Sequence, residues 1–188
     1  MVKIVQIDWK KENATGKLDE KSVLRQESKV VKKEEFGTLE LKKIISDMQE
    51  AMEKEEDGVA IAAPQIGVAK RIFCIKEKAY ELEGKETKWR PLVFINPKIK
   101  KTSKKMLAAD EGCLSVRPLY GTTFRHTNIT LEAQDLNGVK FTFGASGLIA
   151  HIFQHECEHL DGILFIDHAE DLQEIDLEKL KAEEKYAE

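Results

Sequence analysis

The sequence QHECEHL at residues 154–160 contains the strongest structural signal in the chain. It contains two histidines, His155 and His159, which are four residues apart, and Glu156 directly follows the first. On a helix, residues four apart lie on one face, so both imidazoles can reach one metal ion. Glu156 projects beside them, where it can take a proton from an activated water. The pattern favours a metal-binding helix over the alternative, a polar helix face with two histidines by chance.

A catalytic metal site needs a third protein ligand and an open position for water. Cys157 points to the opposite side of the helix, and Cys74 lies in an apolar run typical of a buried strand. His151 precedes the histidine pair by one turn, and three histidines on successive turns span about 12 Å, too far for one ion. Cys113 lies in a polar context and gives, with two histidines, a donor set compatible with Zn²⁺ or Fe²⁺. The sequence therefore predicts Cys113 as the third ligand.

Length and composition exclude several classes of protein. The chain has 188 residues, of which 41% are hydrophobic and 34% charged, and this predicts a single globular domain over residues 1–188. The net charge of −4 gives no reason to expect a nucleic acid or an anionic membrane as partner. No apolar run approaches the ~20 residues of a spanning helix, and the first residues do not resemble a signal or transit peptide. We expect a cytoplasmic protein.

Helical periodicity marks two long segments. Thr38 is expected to open a helix that runs to about Glu56, and a second helix is expected from near Ser146 to about Leu160, with Gly162 at its end. Residues 8–22 are polar and predict a surface loop. Residues 170–188 are rich in Glu and Lys and predict a charged C-terminal tail or solvated amphipathic helix.

Strand signals occupy the middle of the chain. Residues 71–75 and 92–95 are expected to form buried strands, the second ended by Asn96-Pro97. Residues 129–133 and 139–143 flank Asn137-Gly138, which is a strong hairpin signal. Strands and helices do not alternate regularly. The sequence therefore predicts an α+β fold in which mixed or antiparallel strands pack around the late metal-binding helix.

Three segments together resemble the motifs of peptide deformylases, in the same order and at similar separations. They are GVAIAAPQ at residues 58–65, EGCLS at residues 111–115, and the histidine stretch already quoted. Flanking matches extend the resemblance to roughly residues 20–170. The resemblance implies a metal-dependent hydrolase that removes the formyl group from the N-terminal formylmethionine of new polypeptides.

The resemblance also implies residue roles. The positions that match the family's metal ligands are Cys113, His155 and His159. Glu156 matches the general acid/base, while the side-chain amide of Gln65 and the backbone N–H of Leu114 match the groups that stabilise the oxyanion. The implied cofactor is one Fe²⁺ per chain, with Zn²⁺ or another divalent metal as an alternative. The implied partners are N-formylmethionyl nascent peptides and, transiently, the ribosome, in a bacterial cytoplasm.

The expected substrate-binding residues include departures from the family pattern. They are Gly58, Val59, Ala60 and His151. Ala60 stands where the family has glycine, so its methyl either crowds the substrate or fits a β conformation harmlessly. His151 either lines the methionine pocket or is a partly exposed polar residue. Glu158 replaces the family's aspartate. Arg117 stands where the family has a proline, so the altered segment from Val116 to Gly121 leaves peptide preference open.

Two other functions compete with a deformylase. A zincin-type metalloprotease shares the HExxH pattern, but such enzymes typically take their third ligand from a residue downstream of the helix. Cys113 lies upstream of the helix and therefore argues against a zincin. A non-enzymatic relative would keep the metal for stability, and Ala60 and the altered segment after Ser115 favour it. Gln65 and Glu156 oppose it, because a structural metal site needs neither an acid/base nor an oxyanion donor.

Overall fold

The computed structural model describes residues 2–82 and 91–175. Its helices are α1 Trp9–Thr15, α2 Leu39–Glu53, α3 Glu77–Leu82 and α4 Gly147–Leu160. Its strands are β1 Ala60–Ala62, β2 Ile72–Ile75, β3 Val93–Thr102, β4 Met106–Gly112, β5 Leu119–His126, β6 Asn128–Gln134, β7 Lys140–Ser146 and β8 Glu170–Glu174. Short 3₁₀ helices lie at Val23–Arg25, Lys33–Glu35, Ala63–Ile66 and Phe165–Asp167. Within these ranges, none of the helices has the length and apolar character that a membrane crossing requires.

The strands form two antiparallel sheets. The five-stranded sheet has the order β1-β2-β3-β6-β7, and the three-stranded sheet has the order β4-β5-β8. This arrangement confirms the predicted α+β fold. Strands β1 and β4 are both edge strands, and their ends meet at the cavity described below.

The five-stranded sheet lies between the two long helices. Side chains alternate along β2, so Phe73 and Ile75 join the core cluster that includes α4, while Ile72 and Cys74 join the cluster that includes α2. Burial on both faces explains why β2 is apolar throughout. On the α4 side, the ring of Phe94 lies 4.5 Å from that of Phe73 between centroids. This packing fixes α4, and with it the histidine pair, against the sheet.

Local signals located both long helices correctly. The side chain of Thr38 caps α2 by accepting a hydrogen bond from the Leu41 N–H at 3.2 Å. Ser146 precedes α4, and Gly162 follows it with a φ of 76°, a left-handed conformation that favours glycine. The predicted hairpin is also confirmed, because β6 pairs with β7 on either side of Asn137-Gly138.

The prediction of a loop at residues 8–22 was wrong in part, because α1 lies there. Asp8 caps this helix through a hydrogen bond from the Lys11 N–H at 3.1 Å. The buried Glu12 explains why the helix forms: its carboxylate binds the guanidinium of Arg25 at 2.6 Å. A polar segment can therefore be ordered by an ion pair that hydrophobic periodicity does not register.

Two other predicted boundaries were wrong. Strand β3 continues through Asn96-Pro97, because a register shift between Ile95 and Lys98 accommodates the proline in a bulge. Glu170–Glu174 forms β8 instead of a helix, since β5 offers it a free edge for backbone hydrogen bonds. The rest of the predicted tail helix, residues 176–188, lies outside the described residues. The single domain over residues 1–188 therefore stays a prediction.

Candidate active site

The three predicted ligands meet at the end of β4 and the inner face of α4. The donor atoms of Cys113, His155 and His159 all lie within 4.8 Å of one another. The Sγ of Cys113 is 3.2 Å from Nε2 of His159 and accepts a hydrogen bond from the backbone N–H of Ser115 at 3.4 Å. Helix α4 supplies both histidines from one face, and the turn after β4 supplies the cysteine.

The donor set fits a divalent transition metal. His155 donates a hydrogen bond from Nδ1 to Glu111, which leaves its Nε2 lone pair free for an ion. One thiolate and two imidazole nitrogens suit Zn²⁺ or Fe²⁺. Within the described residues, Oε2 of Glu156 is buried beside these donors without a hydrogen-bond partner. A buried oxygen that the protein leaves unpaired is expected to face a bound ion or water.

Glu111 organises the ligand helix from β4. It accepts hydrogen bonds from the Nε2 of His151 at 2.7 Å and from the guanidinium of Arg125 at 2.7 and 3.0 Å, in addition to the one from His155. The β4–β5 register pairs Leu107 with Arg125 and Glu111 with Gly121, so Glu111 and Arg125 lie on one face of the sheet. Arg125 also binds the carboxylate of Glu158 at 2.8 Å. The glutamate at 158 thus holds α4 onto the three-stranded sheet.

Burial and neighbouring charges shift the pKa values of this cluster. Burial alone would raise the pKa of Glu111, but hydrogen bonds from His151, His155 and Arg125 hold it well below its usual range. Burial raises the pKa of Glu156 to about 7. Burial and the charge of His155 lower the pKa of His159. The cluster therefore holds Glu111 ionised while Glu156 lies in a much less polar environment.

Gln65 presents its amide nitrogen to the same point. Its Oε1 accepts a hydrogen bond from the Ala62 N–H at 2.8 Å, and this fixes the side chain over the 3₁₀ turn that follows β1. Its Nε2 then lies 3.6 Å from Sγ of Cys113 and 3.2 Å from Oγ of Ser115. Leu114 is anchored nearby, because its carbonyl accepts a hydrogen bond from Gln6 Nε2 at 2.8 Å.

These groups line a cavity of about 240 Å³. The predicted residues on its surface are Gly58, Val59, Ala60, Gln65, Cys113, Leu114, His151, His155 and Glu156. His159 completes the ligand cluster, and it is 1% exposed. The structure therefore brings together every site residue that the sequence suggested.

Ala60 and His151 take defined places in this cavity. Ala60 lies in β1 opposite Ile75 and is part of the buried core cluster, so its conformation is one that alanine adopts freely. His151 is half-buried, and its ring is held by Glu111 rather than free in solvent. Glycine is required at position 112 for a steric reason, because a Cβ there would collide with the ring of Tyr120.

A family model described as polypeptide deformylase matches residues 17–174. The chain belongs to the polypeptide deformylase family. The resemblance seen in its three motifs is thereby confirmed, and the family to which it belongs is one of enzymes.

Named relatives agree with this membership. The chain is 42% identical over 145 residues to a peptide deformylase of Zymomonas mobilis, with 77% of this chain and 79% of the relative covered. It is 39% identical over 150 residues to peptide deformylase 1B, chloroplastic/mitochondrial, of Arabidopsis thaliana, with 79% of this chain and 53% of the relative covered. The chain thus spans about half the length of that plant deformylase. A peptide deformylase of Plasmodium falciparum, solved with an inhibitor, has a TM-score of 0.71 at 29% identity and covers 97% of this chain and 96% of its own.

Sequence reasoning missed several residues of this deformylase-family site. Eight residues that line the cavity were not among the predicted site residues: Asp57, Asp110, Glu111, Gly112, Arg117, Tyr120, Leu148 and Ile152. Glu111 lies two residues before Cys113 in the same motif. A carboxylate so close to a predicted ligand could have been recognised as a partner that orients the ligands. Arg125 carried no such signal, because it reaches Glu111 only through the pairing of β4 with β5.

Proposed function

We propose that the protein is a metal-dependent peptide deformylase that hydrolyses the formamide of N-terminal formylmethionine. The observation that carries the proposal is the convergence of Cys113, His155 and His159 with Glu156 and Gln65 on one cavity. A purely structural metal site has no need of a buried, unpaired carboxylate oxygen or of an amide donor aimed at the ligand cluster. Their presence supports catalysis over the non-enzymatic alternative.

Gln65, Leu114 and Glu156 have separate roles in the proposed reaction. The formyl carbonyl would lie between the Gln65 amide and the backbone N–H of Leu114, which stabilise the oxyanion as water adds; each such donor contributes about 3 kcal/mol. Glu156 takes the proton of the attacking water and returns it to the departing amine. Its buried Oε2, which has no hydrogen-bond partner among the described residues, is free to do both.

Cys113, His155 and His159 are proposed to hold one Fe²⁺ per chain, with Zn²⁺ or another divalent metal as an alternative occupant. When bound, the metal would supply a Lewis acid and lower the pKa of a water molecule toward neutral. The mixed thiolate and imidazole set is compatible with either ion. Glu111 fixes the ring of His155 for this role from behind.

The peptide following the formylmethionine is proposed to bind in extended form. The cavity opens between two edge strands, β1 and β4, and is lined by Gly58, Val59 and Ala60 on one side and by Gly112 on the other. An extended chain can add to such edges through backbone hydrogen bonds. His151 is proposed to border the pocket for the methionine side chain, since it lines the cavity beside Leu148 and Ile152.

The test is formate release from a formyl-Met-Ala-Ser peptide by protein loaded anaerobically with Fe²⁺. Glu156→Gln removes the acid/base and is expected to lower kcat by about 10²-fold or more while one metal per chain remains bound. Equal turnover by wild type and variant would contradict the proposed role. Full metal binding with no formate release from wild type would favour the non-enzymatic alternative. Cleavage of internal peptide bonds would favour the metalloprotease.

We further propose that the protein acts where translation begins with formylmethionine, in a bacterial cytoplasm. Its substrates would be new chains, which it would meet during transient contact with the ribosome. Bacterial relatives support this compartment, while the plant relatives named for the chloroplast or mitochondrion make an organelle the alternative. Cell fractionation with an antibody would distinguish these two locations.

A further inference from the structure

The more exposed side of the cavity, which we call its mouth, is formed by two walls from distant parts of the chain. The first wall, residues 55–60, leads into β1, and the second wall, residues 112–118, follows β4. The walls touch at Gly58, where an added Cβ would lie 3.1 Å from Cβ of Glu55 and 3.1 Å from Cδ1 of Leu114. A small displacement of either wall therefore changes the width of the opening.

Arg117 joins the two walls by a forked ion pair. Its Nη1 binds the carboxylate of Glu55 at 2.7 Å, and its Nη2 binds the carboxylate of Asp57 at 2.6 Å. A planar guanidinium can donate to two carboxylates at once, which a single ammonium cannot do with the same geometry. The fork therefore fixes the direction of the first wall as well as its distance.

Each wall also has its own attachment to the body of the protein. On the first wall, the Glu55 carbonyl accepts a hydrogen bond from Lys76 Nζ at 2.9 Å, and the Val59 carbonyl accepts one from the Lys76 N–H at 2.8 Å. On the second wall, the Ser115 carbonyl accepts one from the Ile7 N–H at 3.0 Å. These attachments keep each wall folded without fixing one wall to the other, and Arg117 makes that connection.

We infer that Arg117 is a positioning residue, which sets the spacing of the two walls for an extended peptide. This inference rests on the proposed function and adds the part of the substrate that it governs, the residues after the formylmethionine. Arg117 acts through Glu55 and Asp57 and not on the reacting groups. Its loss therefore raises KM for a formylated tripeptide and leaves kcat, and KM for N-formylmethionine amide, close to the wild-type values.

Two variants remove the forked ion pair of Arg117, which we call the clamp, from opposite sides. Arg117→Gln removes the cation, and the double variant Glu55→Gln/Asp57→Asn removes both carboxylates while Arg117 stays. Each is expected to raise KM for formyl-Met-Ala-Ser roughly fivefold, a size suited to partly exposed ion pairs. Arg71→Gln is the matched control, because Arg71 binds Asp161 at 2.6 Å outside the cavity lining. It is expected to leave both KM values unchanged.

The two variants also separate a clamp from direct substrate binding. A rise in KM for Arg117→Gln alone, with the double variant unchanged, would mean that the guanidinium contacts the peptide itself, and it would overturn the clamp. Equal losses on the tripeptide and on N-formylmethionine amide would also overturn it, since they would indicate general damage to the site.

Hydrogen exchange gives a readout that does not depend on activity. In the metal-loaded protein, both clamp variants are expected to speed amide exchange in residues 55–60 and 113–118, whereas Arg71→Gln is expected not to. If the wild-type protein released no formate but both clamp variants still exchanged faster than it, the proposed function would fail while the spacing role of Arg117 would stand. Unchanged exchange in both segments would refute the clamp even in an active enzyme.

Discussion

Arginine–carboxylate pairs hold two regions of the cavity, the floor around Glu111 and Arg125 and the mouth around Arg117 and Asp57. The two pairs lie in different surroundings. At the floor, the side chains of Arg125 and Glu111 are 5% and 4% exposed. At the mouth, those of Arg117 and Asp57 are 30% and 38% exposed. Buried pairs are costly to break because the remaining charge stays desolvated, whereas solvent compensates the loss of an exposed one. We therefore expect changes at the floor to affect stability and metal binding, and changes at the mouth to affect mainly the proposed fit of the peptide.

The largest effect is expected from breaking the floor with Glu111→Gln. The change leaves the Arg125 guanidinium with one carboxylate and His155 with a weaker acceptor. We expect the free energy of unfolding of the metal-free protein to fall by about 3 kcal/mol. Metal affinity should fall about 10- to 100-fold, because the ring of His155 is held less firmly. Denaturant titration and a chelator competition assay measure the two quantities.

Asp110→Asn is the control for Glu111→Gln. Asp110 neighbours Glu111 on β4 but is exposed, and its contact is a 3.3 Å hydrogen bond from the Thr122 hydroxyl. It should change neither unfolding nor metal affinity appreciably. If both variants behaved alike, the contrast between floor and mouth would not hold.

A third ion pair tests whether burial alone, without the metal, produces the large effect. Glu12 and Arg25 have side chains 6% and 2% exposed, and they join α1 to the body of the protein. Glu12→Gln is expected to lower the free energy of unfolding by about 2 kcal/mol at neutral pH while metal affinity stays unchanged. Glu20→Gln, an exposed change nearby, is the control. A loss of metal affinity in Glu12→Gln would mean that the two buried pairs are coupled.

This effect should depend on pH with a definite sign. Burial raises the pKa of Glu12, but the hydrogen bonds from Arg25 and the Asp19 N–H, with the Arg25 charge, outweigh it and leave the pKa lowered. A lowered folded-state pKa contributes stability above the unfolded value of about 4.3 and loses it as pH falls through the folded-state pKa. The difference between wild type and Glu12→Gln should thus be full above pH about 5 and shrink below pH about 4. A difference that grew on acidification would contradict this account.

The same contrast explains what the sequence could and could not predict. The floor ligands lie in two short motifs, and helical spacing alone places His155 beside His159. Arg117 has its partners 60 and 62 residues away, so local patterns contain no sign of its ion pairs. Helix α1 and the path of β3 through Pro97 were missed for a related reason. Each depends on a partner, Arg25 or strand β6, that lies elsewhere in the sequence.

Ala60→Gly tests whether the alanine at the first wall crowds the substrate. The methyl belongs to the core cluster, so its loss should lower the free energy of unfolding by about 1 kcal/mol without changing KM. Ala62→Gly, in the same strand and cluster but outside the cavity lining, should show the same loss of stability. A several-fold lower KM in Ala60→Gly alone would favour crowding.

The smallest effect on stability is expected at the mouth itself. Arg117→Gln should lower the free energy of unfolding by only about 0.5 kcal/mol, because its ion pairs are partly exposed and solvent replaces them. That difference should shrink further in 1 M salt, where the screening length falls to about 3 Å. Denaturant titrations at low and high salt would measure it. A loss near that of Glu111→Gln would mean that the mouth is as rigid a part of the fold as the floor. A small loss combined with the raised KM for the tripeptide would show that the mouth can change substrate fit while the fold stays intact.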